Sequence, residues 1–419
     1  MVDGNSALSA PNVAKSRIGI VVGTRPEVIK LAPIVAAMGA SPVLEPVVIG
    51  TSQHSSLLQG ALDDMALTVD HAVAPIVGAA TLCSLAAWIL SGLSRLLPTL
   101  DLDALMVHGD TTTSVVAAMA AFYSGLPLVH VEAGLRSGDR RAPFPEEVNR
   151  RMTTVMADLH LAPTTAARDR LVAEGVDPAT VVVTGNTVVD AVMARTATVP
   201  FDDPRVAEVV GNSRRTVVLT THRRESWGDP MDRVAAAVAR IAQRHPDVDI
   251  VVPMHPNPIV RHTLLRLAGY RNVVLTEPLP YPQFLRVLSQ ATVVLTDSGG
   301  VQEEAPSFGV PVLVLRDTTE RQEGLDGGHA VLVGTSEERI VTELELILAA
   351  GTPAVSSGAN PYGDGRAAER SIAAVATRFG PRSAADERSD SDPDTGQSRR
   401  RRYGLMVRRR QVDRGRSAV

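Results

Sequence analysis

His108-Gly109-Asp110-Thr111-Thr112-Thr113 closes one apolar run and opens the next. Ala104–His108 before the turn reads as a buried strand, and Thr113–Tyr123 after it has helical spacing. The order repeats further on. Leu126–Glu132 is a second apolar run, and Glu146–Ala157 is the helix that follows its loop. Strand-then-helix in series predicts parallel strands joined by helical crossovers. The spacing puts Asp110 and Glu132 at strand ends, with Glu146 next to Phe144-Pro145. Ligands of an open parallel sheet lie beyond the carboxyl ends of its strands. Carboxylates converging there suit removal and return of a proton.

Working outward, Ile18–Val22 is a β-branched run ending at Gly23, and a helix is expected over Pro26–Met38. Thr24 with Glu27 makes a capping box, and Pro26 fits the first helical turn. Val43–Gly50 leads to Ser55–Met65, and Leu159–Ala162 to Ala166–Glu174. A second series begins near Gly185. Its expected strands are Thr216–Thr220, Asp249–Pro253, Asn272–Thr276, Thr292–Asp297 and Val312–Leu315. Its expected helices are Asp232–Arg244, Pro258–Leu267, Tyr281–Ser289, Val301–Phe308 and Glu337–Ala350, and Gly365–Phe379 is a last helix. The expected layout is a loose leader (1–15), a first doubly wound domain (16–184 with 365–380), a second (185–364), and a disordered basic tail (381–419).

The chain of 419 residues is long enough for two such domains. Hydrophobic residues make up 44% and charged residues 21%, within the globular range, and a net charge of −4 gives no sign of a nucleic-acid partner. No membrane span is expected, because no apolar run reaches the roughly 18 residues that a span needs. The start lacks the pattern of a signal peptide. Cys83 is the single cysteine, which excludes an intrachain disulfide and fits a cytoplasmic setting. Lysine occurs only at Lys15 and Lys30, with arginine supplying every other basic side chain. Arg399–Arg402 and Arg408–Arg410 give the tail its charge, and an anionic tether is the alternative to plain disorder there.

Thr296-Asp297-Ser298-Gly299-Gly300-Val301-Gln302-Glu303-Glu304 follows a strand and opens a helix. Glycines admit close approach of a ligand, free N–H groups at a helix start attract phosphate, and Glu304 could take ribose hydroxyls. A simple cap with a tight turn is the plainer reading. Gly23-Thr24-Arg25-Pro26-Glu27 is the equivalent turn of the first domain, with Arg25 either reaching a diphosphate or solvated. Thr221-His222-Arg223-Arg224-Glu225 and Arg316-Asp317-Thr318-Thr319-Glu320-Arg321 follow two further strands. His108, Asp110, His130 and Glu132 lack the spacing of a metal site, so no metal is expected.

Taken together, the motifs of residues 18–366 resemble the non-hydrolysing UDP-N-acetylglucosamine 2-epimerase family. Gly185-Asn186-Thr187 and Asn360-Pro361-Tyr362-Gly363-Asp364-Gly365 complete the series. The resemblance implies an α/β fold of GT-B architecture, with two Rossmann-like domains facing a cleft and UDP held mostly by the second. It implies a homodimer with no metal or nicotinamide cofactor. Arg25, Lys30, Ser298, Gly299, Gly300, Glu304 and Arg321 map onto UDP-sugar-binding positions, and Asp110, Glu132, Glu146 and His222 onto catalytic ones. Gln53 and His54 match a loop of a second, regulatory UDP-sugar site. The implied reaction is reversible C2 epimerisation to UDP-N-acetylmannosamine through 2-acetamidoglucal, feeding cell-surface polysaccharide synthesis. A hydrolysing epimerase and a GT-B glycosyltransferase are the alternatives. Two departures stand out. Ser52 replaces a glycine beside Gln53, and Gln322 replaces a proline after Arg321, where a looser loop is expected.

Overall fold

A computed structural model of the chain describes residues 14–51, 56–73, 81–194, 199–223, 226–350 and 360–381. Gln53, His54, Ser52, Arg224, Glu225 and nearly all of the expected leader and tail lie outside the described residues.

The first unit alternates β1 (Ser16–Val22), α1 (Arg25–Gly39), β2 (Leu44–Gly50), α2 (Ser56–Met65), β3 (His71–Ala72), α3 (Leu82–Leu96), β4 (Ala104–His108), α4 (Thr112–Tyr123), β5 (Leu128–Val131), α5 (Glu146–Met156), β6 (Leu159–Ala162), α6 (Thr165–Ala173) and β7 (Val181–Val183). The bridging helices are α7 (Thr187–Ala194) and α8 (Pro204–Gly211). The second unit runs β8 (Thr216–Thr220), α9 (Asp229–Arg244), β9 (Asp249–Pro253), α10 (Pro258–Leu264), β10 (Val273–Thr276), α11 (Tyr281–Ser289), β11 (Val293–Thr296), α12 (Gly299–Glu304), β12 (Val312–Val314), α13 (Gln322–Asp326), β13 (Ala330–Leu332) and α14 (Glu337–Ala350), and α15 (Ala367–Phe379) closes the described chain.

Two parallel sheets result, ordered β3-β2-β1-β4-β5-β6-β7 and β10-β9-β8-β11-β12-β13. Helices cover both faces, which is why β4 (ALMVH) and β11 (VVLT) are buried along their whole length. Strand order reverses beside β1 and β4 in the first sheet and beside β8 and β11 in the second. Loops diverge at such switch points and leave a crevice between them. The four loops that bound the two crevices start at Gly23, Gly109, Thr221 and Asp297, all within the motifs singled out above.

Several elements go beyond the expected set: α3, α7, α8, α13 and the short strands β3, β7 and β13. The longest is α3, whose Ile89, Gly92 and Leu93 are buried at helical spacing on one face. It also corrects the expectation of no long apolar run. With the 3-10 turn after it, Leu82–Thr99 is 18 residues of mean hydropathy 1.3, long and apolar enough by composition to cross a bilayer. Here its buried face joins the core formed with Val115, Val116 and Ala120 of α4. The expected helix over 301–308 begins earlier, at Gly299, and its last turn tightens to a 3-10 turn over Ala305–Phe308. At the other end of the chain, α15 returns to the first unit, where Ala368 and Val375 enter the same core as Val28, Leu31 and Ile34.

Candidate active site

In the first sheet, Glu27 ties together the two loops at the switch point. Its Oε2 accepts from the N–H groups of Gly23 (2.8 Å) and Thr24 (2.7 Å), and its Oε1 accepts from the hydroxyls of Thr111 (2.5 Å) and Ser114 (3.0 Å). Gly23 has no room for a side chain: a Cβ there would stand 2.3 Å from Thr113 Oγ1 and 2.4 Å from Thr51 Oγ1. His130 is buried, and burial lowers its pKa to about 3, so the ring is neutral. Its Nε2 lies 2.9 Å from the Gly109 carbonyl, which can only accept, so Nε2 carries the proton and pins the Asp110 loop.

Asp110 accepts from Arg150 Nε at 2.8 Å, and its carbonyl accepts from Asn149 Nδ2 at 2.8 Å. Glu146 opens α5, two residues after Phe144. Burial, and the nearby charge of Asp110, push its carboxyl above the usual range. Glu132 follows β5 with φ of 61°, a left-handed conformation that costs a non-glycine residue about 1–3 kcal/mol. It accepts from Lys30 and from Asn186 Nδ2 (3.0 Å), and His108 Nε2 stands 3.6 Å away. Burial opposes its ionisation, but Lys30, His108 and Arg321 hold the carboxyl well below its ordinary value.

In the second sheet, fully buried Asp297 accepts from the backbone N–H of His222 (3.0 Å) and of Arg223 (3.0 Å). The same carboxylate lies 2.9 Å from His222 Nδ1, and the His222 side chain is 40% exposed. That contact fixes the imidazole orientation and leaves Nε2 for a ligand. Ser298 caps α12, and Arg321 lies across Gly299, where a Cβ would stand 2.7 Å from the guanidinium carbon. Buried Glu304 accepts from the Tyr281 hydroxyl at 3.3 Å. Burial and the charge of Glu303 push its carboxyl up to about 7.

The two halves meet in one buried ionic network. Lys30 Nζ lies 2.6 Å from Glu303 Oε2, an ion pair without hydrogen-bond alignment. Arg321 donates through Nε to Glu303 at 2.9 Å and through another nitrogen to Glu320, and its Nη2 stands 4.0 Å from Glu132. Arg150 spans Asp110, Glu147 (2.9 Å) and, in the second unit, Glu320 (3.5 Å). Glu320 also faces Arg316 (2.9 Å) and Arg223 (3.7 Å). Burial opposes its charge, but these arginines keep it ionised far below the usual range. Arg25 donates across the cleft to the Leu279 carbonyl at 3.4 Å. Carboxylates that can move protons thus lie beside guanidinium groups suited to a diphosphate.

The chain resembles known proteins over most of its length. The model of the family described as UDP-N-acetylglucosamine 2-epimerase matches residues 36–376. The chain belongs to the UDP-N-acetylglucosamine 2-epimerase family. It is 41% identical over 364 residues to the UDP-N-acetylglucosamine 2-epimerase of Escherichia coli K12, covering 85% of this chain and 97% of that one. A crystal structure of a putative UDP-N-acetylglucosamine 2-epimerase from Listeria monocytogenes superposes with a TM-score of 0.83 at 42% identity, covering 87% of this chain and 97% of that one. The Neisseria meningitidis UDP-GlcNAc 2-epimerase bound to UDP-GlcNAc superposes with a TM-score of 0.81 at 34% identity, covering 86% of this chain and all of that one. Like these epimerases, the chain has the two facing α/β units of the GT-B-like architecture.

Within this epimerase fold, the residues expected from sequence fall into three linked clusters. Asp110 and Glu146 gather near Arg150. Glu132 and Lys30 meet Arg321, and Glu304 looks toward Arg25 and Tyr281. Sequence reading missed Glu27 as a brace, and also Asn186, Arg150, Glu303 and Glu320. Asn186 and Glu320 stand inside motifs already noted, and Glu303 adjoins Glu304, so their signal was present without a partner to interpret it. The Asn360–Gly365 motif proves to be a brace: Asn360 Nδ2 donates to the Glu303 carbonyl (3.1 Å) and the Tyr362 hydroxyl to the Arg321 carbonyl (3.3 Å). At Gln322, where a looser loop is expected, the side-chain Nε2 donates to the Thr319 carbonyl at 2.5 Å.

Proposed function

We propose that this protein interconverts UDP-N-acetylglucosamine and UDP-N-acetylmannosamine by elimination and re-addition of UDP through 2-acetamidoglucal. The observation that carries the reading is the convergence of Asp110, Glu132, Arg321 and the Ser298–Gly300 turn where the carboxyl ends of both sheets meet. C2 of the sugar has no neighbouring carbonyl, so direct deprotonation is costly. Breaking C1–O first puts positive charge on the ring and acidifies C2–H. Arg25, Arg321, His222 and the start of α12 stabilise the departing UDP, the kind of preorganised electrostatics that dominates many catalysed reactions. One carboxylate among Asp110, Glu132 and Glu146 removes the proton. A second, carrying a proton exchanged with solvent, protonates C2 on the opposite face while UDP adds back at C1, and the first loses its proton to solvent.

The domain division follows the sheets in this reading, with 16–184 and 365–380 forming one unit and 185–364 the other. A cytoplasmic homodimer serving cell-surface polysaccharide synthesis belongs to the same reading. Exposed Phe122 and Tyr123 at the end of α4, with Val155 on α5, support an association surface.

The test is purified protein with UDP-N-acetylglucosamine in D₂O, followed by NMR of the anomeric region. UDP-N-acetylmannosamine carrying deuterium at C2 is expected. Free N-acetylmannosamine with UDP would make the enzyme hydrolysing, and an unchanged substrate would end the proposal. Asp110→Asn should lower kcat by about 10²-fold or more while UDP affinity stays within about threefold.

A further inference from the structure

Glu303 and Glu304 are neighbours on α12, but they face different surroundings. Glu304 turns toward Tyr281 and Arg25, whereas Glu303 turns toward Lys30 and Arg321. Glu303 is 1% exposed, and its two oxygens are divided: Oε2 lies 2.6 Å from Lys30 Nζ, and Oε1 accepts from Arg321 Nε at 2.9 Å. Lys30 belongs to the first unit, and its ammonium also donates to Glu132. Arg321 belongs to the second, and its Nη2 also approaches Glu132. One carboxylate therefore bridges the two cations that flank the Glu132 carboxylate from opposite sides of the cleft.

Resting on the reaction proposed above, we propose that Glu303 is a positioning residue: it shares the Lys30 ammonium with Glu132 and fixes the Arg321 fork over Gly299, so that Glu132 is set for proton transfer only when the two units are closed together. The chemistry follows from the sharing. An ammonium held by Glu132 alone would sit fully on that carboxylate and weaken it as a base. Held between two carboxylates, it lends Glu132 only part of its charge. Arg321 is likewise committed by its Nε, which leaves the outer nitrogens to face Glu320, Glu132 and an incoming phosphate. Among the described residues, the other titratable and charged groups facing Glu303, Lys30 and Arg321 include His108, Asp110, Arg150 and Arg25 from the first unit and Glu304, Glu320, Tyr281 and Tyr362 from the second. The backbone of Glu303 is itself anchored, since its carbonyl accepts from Asn360.

The test compares Glu303→Gln and Glu303→Asp with the wild type in the epimerisation assay across pH, alongside calorimetric titration of UDP. Gln keeps the shape but loses the charge. Its kcat should fall about 10²-fold, as expected for misplaced reacting groups, with KM and UDP affinity within about threefold. Lys30 then loses one of two carboxylates, so the alkaline limb of kcat should move to lower pH by about one unit. Asp keeps the charge at a shorter reach. It should leave the limb in place and restore part of kcat. Wild-type kcat and an unmoved limb in Glu303→Gln would overturn the inference, as would a rise in KM alone or an equal loss in both variants without a moved limb. If the Gln variant does not fold, wild-type kcat in Glu303→Asp decides against the bridge, and reduced kcat with an unmoved limb supports it. A wild-type protein that makes no UDP-N-acetylmannosamine would sink the proposed function instead.

Discussion

Glu304 shows how one position sets a pH response. Burial and the charge of Glu303 raise its carboxyl to about 7, from an ordinary value of 4.5. The folded state therefore favours the neutral acid. Its contribution to stability is complete below pH 4.5 and is lost as pH rises through 7. The loss amounts to roughly 3 kcal/mol, from the free energy of a pKa difference of that size. Glu304→Gln cannot ionise, so its urea-unfolding free energy should hold between pH 5 and 8 while that of the wild type falls. Parallel pH curves for the two proteins would refute this. The position was legible as a site residue from its place after Ser-Gly-Gly. Its protonation was not, because that depends on Tyr281, Arg25 and Glu303 closing around it in three dimensions. Lys30 is similar. The scarcity of lysine read as a compositional bias and not as function, and only Glu132 and Glu303 explain why an ammonium stands inside α1.

At the level of elements, α12 is a short helix shaped by what lies on it. The two glycines at its start have different reasons to be glycine. At Gly299 a Cβ would stand 2.7 Å from the Arg321 guanidinium carbon, whereas at Gly300 the nearest atom would be Ser298 or Glu304 oxygen at 3.8 Å. Substrate-free Gly299→Ala should therefore be destabilised by about 1–3 kcal/mol, the usual cost of overpacking. Gly300→Ala should be neutral or gain up to about 1 kcal/mol from reduced freedom of the unfolded chain. Urea titration of both variants checks this, and equal behaviour would disprove the account. The strand-and-helix alternation was readable because buried parallel strands are near-continuous apolar runs, so β4, β6, β8 and β9 fall where the residues predict. Helix α3 was missed despite clear spacing, because it follows only the two-residue β3 and so breaks the alternation that guided the reading.

Across the whole molecule, the two sheets are joined by ions as well as by chain. Arg150 is 2% exposed and reaches Asp110 and Glu147 in its own unit and Glu320 in the other. Arg150→Ala leaves Glu147 and Glu320 buried with less compensation, which should cost about 3–5 kcal/mol. Because the lost contact crosses the cleft, calorimetry should also show the unfolding transition splitting in two, and a single unshifted transition would contradict this. The sequence by itself determined the α/β alternation, the strand ends that carry chemistry and the family. These depend on local pattern: apolar runs, glycine turns and caps that act over a few residues. Only the tertiary structure decided which charges share a proton or a partner, since Lys30, Glu132, Glu303 and Arg321 are far apart in the chain. The ionisation of Lys30, Glu132 and Arg321 is set by burial and by distances of a few ångströms that exist only when both sheets close on one another.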